Sequence, residues 1–312
     1  MLTLQTAVDE FQVANAADGL KTATIAWYRV RLSKFVSHVG GDFHIQEVTT
    51  SMIREWIIVL RGREKLSAGH GSGQVKIHTL HGYMRALRRF WRWACLEYDI
   101  AQNPMDRVRL PQRPRPEPKA ISLDDLRAIF NACDDSPEGL RDRALIAFLC
   151  DTGCRAGGLL GLTVEDCDLQ HLRARVVEKG DRPRIVPFST FTAYHLIKWF
   201  EMRPAGGAVF CSLKKRRGQP LSYSGLAKIL GRLKEKAGVQ GRVNPHSFRH
   251  GFAREYVRNG GDLSSLSRLL GHSGIGVTAD YYAVFTEPEL AEFHAKFSPI
   301  RSLSEHHRPD SP

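Results

Sequence analysis

Leu172-Arg173-Ala174-Arg175-Val176-Val177-Glu178-Lys179-Gly180-Asp181-Arg182-Pro183-Arg184-Ile185-Val186-Pro187-Phe188 is the β-like stretch in a chain that otherwise reads as helix. Two short runs, 172–178 and 184–188, flank Lys179-Gly180-Asp181, a hairpin signal. On the N-terminal side, Ser122-Leu123-Asp124-Asp125 resembles a capping box with Asp in place of Glu, and opens a helix to about residue 133. A second helix spans about 137–151. On the C-terminal side helical patterns return at about 191–202, 223–237, 245–259 and 263–270. The expectation is a mixed α+β half: mainly α, with a small antiparallel β-sheet.

Further out, residues 111–119 read Pro-Gln-Arg-Pro-Arg-Pro-Glu-Pro-Lys. Four prolines in nine residues cannot sustain a helix and favour an extended, exposed connection. The expected organisation is a helical domain over 1–110, a linker over 111–119, a second domain over 120–300 and a tail over 301–312. In the front half, periodic segments near 3–16, 23–39 and 50–61 predict a small helical bundle, interrupted by a loop at 69–73. From 77 to 98, Ile77, Leu80, Met84, Leu87, Trp91, Cys95 and Tyr98 recur at threes and fours. His81, Arg85, Arg88 and Arg92 follow one position on. A basic stripe beside a packed face suits a DNA phosphate backbone, with Arg85, Arg88 and Arg92 as the contacts; a solvated helix face fits the same pattern.

Composition agrees with two folded domains. At 312 residues, 42% hydrophobic and 25% charged, the chain has core enough for about two domains. A wholly disordered protein and a collagen-like repeat are excluded. The longest clear apolar run, residues 144–150, falls far short of a membrane span. Met1-Leu2-Thr3-Leu4-Gln5, followed by Asp9 and Glu10, does not read as a signal peptide, so the expected location is cytoplasmic. The net charge of +12 favours a polyanionic partner, and both halves share it, at +5 for 1–110 and +5 for 120–312. Six cysteines show neither a CxxC pair nor zinc-finger spacing with His, so reduced thiols are expected and no metal site.

Four short motifs can carry chemistry. In Asn244-Pro245-His246-Ser247-Phe248-Arg249-His250, Asn is a good N-cap and Pro a good first helical residue, so His246 and Arg249 share a face in the first turn. Taken alone, the pair also fits ordinary surface residues. In Thr152-Gly153-Cys154-Arg155-Ala156-Gly157-Gly158, an arginine follows a helix break; a core ion pair and a ligand clamp both fit. Lys179 sits at a hairpin tip, where solvated lysines are common. Leu270-Gly271-His272-Ser273 puts a histidine past a glycine-ended helix, and Tyr281-Tyr282 follows nine residues on.

In this order the four motifs resemble the tyrosine recombinase (phage integrase) family, over residues 121 to about 285. The resemblance implies an N-terminal helical core-binding (SAM-like) domain and a C-terminal mixed α+β catalytic domain. It implies that Arg155 and Arg249 clamp the scissile phosphate, that Lys179 is the hairpin lysine, that His246 and His272 are the two histidines, and that Tyr281 is the nucleophile. Tyr282 is the neighbouring candidate, and the spacing from His272 favours Tyr281. One position departs from the family: an acid usually stands three residues after the first arginine, and here that residue is Gly158.

The implied chemistry is coherent. Two guanidiniums can grip the non-bridging oxygens of a phosphodiester and neutralise charge in the transition state, with His272 as a third donor. A phenol of pKa about 10 needs help to ionise, and His246 can take its proton while Lys179 protonates the leaving 5′ oxygen. The product is a 3′-phosphotyrosine, formed with neither ATP nor a metal cofactor. The implied partners are double-stranded recombination sites, a homo-tetramer working through a Holliday junction, and accessory directionality factors; the process served is a mobile element or chromosome-dimer resolution. Leu290, Phe293 and Phe297 form a C-terminal segment able to dock on a neighbouring protomer or on their own domain. No arm-site module is expected before the helical front half. Gly158 motivates the alternative of a weakened, DNA-binding relative, and a type IB topoisomerase shares the chemistry.

Overall fold

The structure, a computed structural model, describes residues 2–62, 75, 77–110, 120–178, 183–214, 217–271, 291, 294 and 296. The loop expected at 69–73, the linker, the hairpin tip with Lys179, and His272, Tyr281, Tyr282 and the segment at 290–297 lie outside or almost wholly outside these residues. The chain divides into two compact units, Met1–Arg115 and Pro116–Pro312.

The first unit is built from α1 (Leu4–Ala17), α2 (Thr22–Val39), α3 (Thr50–Gly62) and α4 (Ile77–Glu97), with a 3₁₀ turn at Ile45–Glu47. Thr3 caps α1 by accepting the Thr6 N–H at 3.1 Å. The core is aromatic: Phe11, Phe35, Trp56, Phe90 and Trp91 are almost wholly buried, each worth about 2–3 kcal/mol of burial. Phe11 meets Phe90 edge-on, with centroids 5.6 Å apart. The basic stripe needs one correction. Arg85, Arg88 and Arg92 are exposed, whereas His81 is buried. Helix α4 packs against α1, α2 and α3 together, so its buried arc widens to take in His81 and Gly82.

The second unit is mainly helical with one small sheet, the expected fold class. It contains α5 (Leu123–Asn131), α6 (Pro137–Thr152), α7 (Ala156–Leu160), β1 (Cys167–Asp168), β2 (Arg173–Val177), β3 (Pro183–Pro187), α8 (Thr190–Met202), α9 (Tyr223–Lys236), α10 (Pro245–Arg258) and α11 (Leu263–Leu270). Helix α6 carries the core. Residues 144–149 are buried on every side, against α8 and α10. The sheet is antiparallel, in the order β1-β2-β3, and β1 is too short to leave a periodic signal. Across β2 and β3, Ala174 faces Val186 and Val176 faces Arg184. Partners in register share a face, so Arg184 stands on the inner face beside Ala174, Val176 and Val186. No helix among the described residues is long and apolar enough to cross a membrane.

Candidate active site

Helix α6 ends at Gly153, which adopts the left-handed conformation at φ 56°. Glycine is required twice over there: a Cβ would stand 2.6 Å from the Phe252 ring and 3.0 Å from Leu270. Thr152 hydroxyl donates to the Phe148 carbonyl at 2.7 Å and accepts the Cys154 N–H at 3.2 Å, tying down the break. Two residues after Gly153 the chain restarts as α7, with Arg155 as its N-cap.

Arg249 comes from α10. Asn244 caps that helix: its side chain accepts the Ser247 N–H while the Ser247 hydroxyl accepts the Asn244 N–H, each at 3.0 Å. The first turn is thereby rigid, and Arg249 points inward at 5% exposure. Its guanidinium donates to the Gly153 carbonyl at 2.8 Å and to the Leu270 carbonyl at 2.7 Å. These carbonyls close α6 and α11, so Arg249 clips both helix ends beside Arg155. Arg249 is therefore no ordinary surface residue, and His246, three residues earlier on the same helix, is exposed.

Arg155 is held by a residue that sequence reasoning left without a role. Glu178, buried, accepts the Arg155 N–H at 2.7 Å on Oε1 and the Arg155 guanidinium on Oε2. Arg184 Nη2 donates to the same Oε1 at 3.0 Å, and its Nη1 donates to the Leu269 carbonyl. Burial pushes the Glu178 carboxyl up, but the Arg155 N–H and the two guanidiniums outweigh it, and the group lies below the ordinary glutamate value. The signal was strand parity. Ala174, Val176 and Glu178 alternate onto the inner face, and a carboxylate at a core position requires cationic partners.

The cluster therefore joins Arg155, Glu178, Arg184 and Arg249 around Cys154, with His246 and His250 on α10 beside Arg249. Burial lowers the pKa of His250, and His246 and Arg249 lower it further, so it favours the neutral form. Burial pushes the Cys154 thiol up to about 11, which removes it as a nucleophile at neutral pH. All six cysteines are free thiols. Among the described residues, no three His, Cys, Asp or Glu side chains stand close enough together to hold a metal ion. What the arrangement offers is cationic donors on rigid backbone, suited to an anion.

Comparison with known proteins places this geometry. The phage integrase family matches residues 119–287. The tyrosine recombinase XerD of Listeria monocytogenes is 32% identical over 288 residues, 90% of this chain and 94% of that protein. The tyrosine recombinase XerC of Vibrio parahaemolyticus is 27% identical over 286 residues, 89% of this chain and 88% of that protein. Two solved structures share the fold. The Tn1549 transposon integrase in complex with transposon right end DNA has a TM-score of 0.76 at 17% identity, covering 95% of this chain and 100% of that one. A lambda integrase dimer bound to a core site has a TM-score of 0.70 at 20% identity, covering 88% and 97%. The chain belongs to the phage integrase family and is a tyrosine recombinase, an enzyme of site-specific DNA recombination.

Proposed function

We propose that the chain cuts and rejoins duplex DNA through a covalent tyrosyl intermediate. The Tyr281 oxygen attacks the scissile phosphorus and the bond from phosphorus to the 5′ oxygen breaks. The phenol proton passes to His246, directly or through water, and the leaving 5′ oxygen takes a proton from Lys179. Arg155 and Arg249 grip the non-bridging oxygens and His272 adds a donor. The products are a 3′-phosphotyrosine and a free 5′ hydroxyl. One phosphoester replaces another, so the reversed step rejoins a new strand without an input of energy. Four protomers exchange strands pairwise through a Holliday junction, in the cytoplasm, on sites read by both basic units.

The observation that carries this reading is that two arginines stand at one helix junction: the Arg249 guanidinium binds the Gly153 carbonyl, and Arg155, two residues further along, has its guanidinium held by Glu178. Fixed donors of this kind need no reorganisation when charge develops on the phosphate. The exposure of His246 suits proton exchange.

The test uses a duplex recovered by selecting bound DNA from a random pool, then nicked near its centre to trap the cut strand. A protease-sensitive adduct is expected with the wild type and none with Tyr281→Phe. Adduct lost only in Tyr282→Phe moves the nucleophile by one residue. Adduct persisting in both single variants overturns the mechanism, and DNA binding with no adduct on any substrate supports the binding-only alternative.

A further inference from the structure

We propose that Glu178 is the positioning residue of the basic cluster, doing from the end of β2 what an acid at position 158 would do from within α7, and that Gly158 is its steric complement. The argument rests on the reading of Arg155 as a phosphate clamp.

The geometry is that of a capping box completed from another element. Arg155 is the N-cap of α7 and Gly158 stands three residues on, at N3. An acidic side chain at N3 ordinarily folds back to accept the N-cap N–H. Glycine has no side chain to do so, yet the bond exists: the Arg155 N–H donates to Glu178 Oε1 at 2.7 Å. The other oxygen takes the Arg155 guanidinium, which sets that side chain's direction. The space has a single tenant. A Cβ on residue 158 would stand 3.2 Å from Glu178 Cγ, 3.4 Å from Val176 Cβ and 3.5 Å from Glu178 Oε1. That is tighter than ordinary packing against the glutamate stem, and any longer side chain would run into the carboxylate. Glycine at 158 and glutamate at 178 are thus one choice made at two positions.

The relocated acid also does more than an acid in α7 would. Glu178 directly follows β2, and through Arg184 it reaches the Leu269 carbonyl at the close of α11. It therefore holds the N-terminus of α7 and the base of the β2–β3 hairpin in one network, and Lys179 is the next residue in the chain. The departure at Gly158 marks a transfer of the carboxylate, not its loss.

A swap tests this. Wild type, Glu178→Gly, Gly158→Glu, the double variant carrying both changes, Glu178→Gln and Arg155→Ala are compared for single-turnover adduct formation, for DNA affinity and for thermal unfolding. Glu178→Gly is expected to form adduct about 10²-fold more slowly, with affinity changed only a few-fold, because a misplaced clamp costs rate more than binding. Gly158→Glu alone is expected to be slow as well, since two carboxylates crowd one site. The double variant is expected to recover to within about 10-fold of wild type. Glu178→Gln, which keeps the shape, is expected to fold and to fall between Glu178→Gly and wild type. A double variant no faster than the slower single variant, wild-type rates in Glu178→Gly, or a loss that only follows the fraction unfolded overturns the proposal. If Arg155→Ala itself forms adduct at the wild-type rate, the clamp reading fails instead.

Discussion

At the scale of single residues, the candidate site is held by charged groups that hydrogen-bond backbone. Arg249 spends two donors on the Gly153 and Leu270 carbonyls, so it has a structural role. Arg249→Ala strips a charged donor from two buried carbonyls and is expected to cost about 3 kcal/mol in urea unfolding. Arg249→Lys keeps the charge but cannot serve both carbonyls from a planar fork, so about half of that loss is expected, with adduct formation falling by more than stability alone explains. Glu178 makes a pH prediction. Its carboxyl lies below the ordinary glutamate value, about 4.3, so on acidification the unfolded chain takes up the proton first. The stabilisation is whole above that value and is lost as the pH falls through the depressed folded value. The urea-midpoint gap between wild type and Glu178→Gln should therefore be full at neutral pH, narrow below about pH 4 and close in stronger acid; a gap independent of pH would contradict the ion pairing. Strand parity could have marked Glu178, which alternates with Ala174 and Val176, although the sequence reading gave it no role, and nothing local marked its partners. Arg155 and Arg184 are 23 and 6 residues away, on a separate helix and strand.

Among elements, the helix ends were the most legible. Ser122 and Asn244 cap where expected, Leu263–Leu270 has the expected bounds, and Gly271 closes it at φ 64°. Caps are local, made by groups two or three residues apart, so local sequence encodes them. The ion network that joins α6 to α9 was not legible. Asp142, with a fully buried side chain, accepts Arg141 Nη2 at 2.8 Å and also Arg232 from α9. Nothing in the spacing of residues 141, 142 and 232 announces it. Asp142→Ala leaves the buried Arg141 guanidinium without its counter-charge and is expected to destabilise by about 3–5 kcal/mol. A loss below about 1 kcal/mol in a thermal or urea melt would mean that water reaches the arginine.

Across the whole molecule, two units each bury a separate core and each carries excess positive charge. Duplex binding should then weaken steeply with salt. In a plot of log affinity against log salt, Arg85→Ala and Arg92→Ala should each lower the slope by about 0.9 if each contacts one phosphate. Arg88 differs, because its guanidinium already donates to the Val108 carbonyl at 2.9 Å, so Arg88→Ala should also lower the stability of the first unit. A slope unchanged by Arg85→Ala and Arg92→Ala would move the DNA contact to another face. Periodicity and punctuation by themselves determined the helices, the hairpin strands and the ordered motifs of the family, since each depends on neighbours within a turn or two. Only the tertiary structure decided that His81 is buried, that Arg249 is a clip between two helix ends, and that the carboxylate facing Arg155 comes from residue 178. Those outcomes depend on which surfaces meet when distant segments pack, and a one-dimensional pattern holds no record of that meeting.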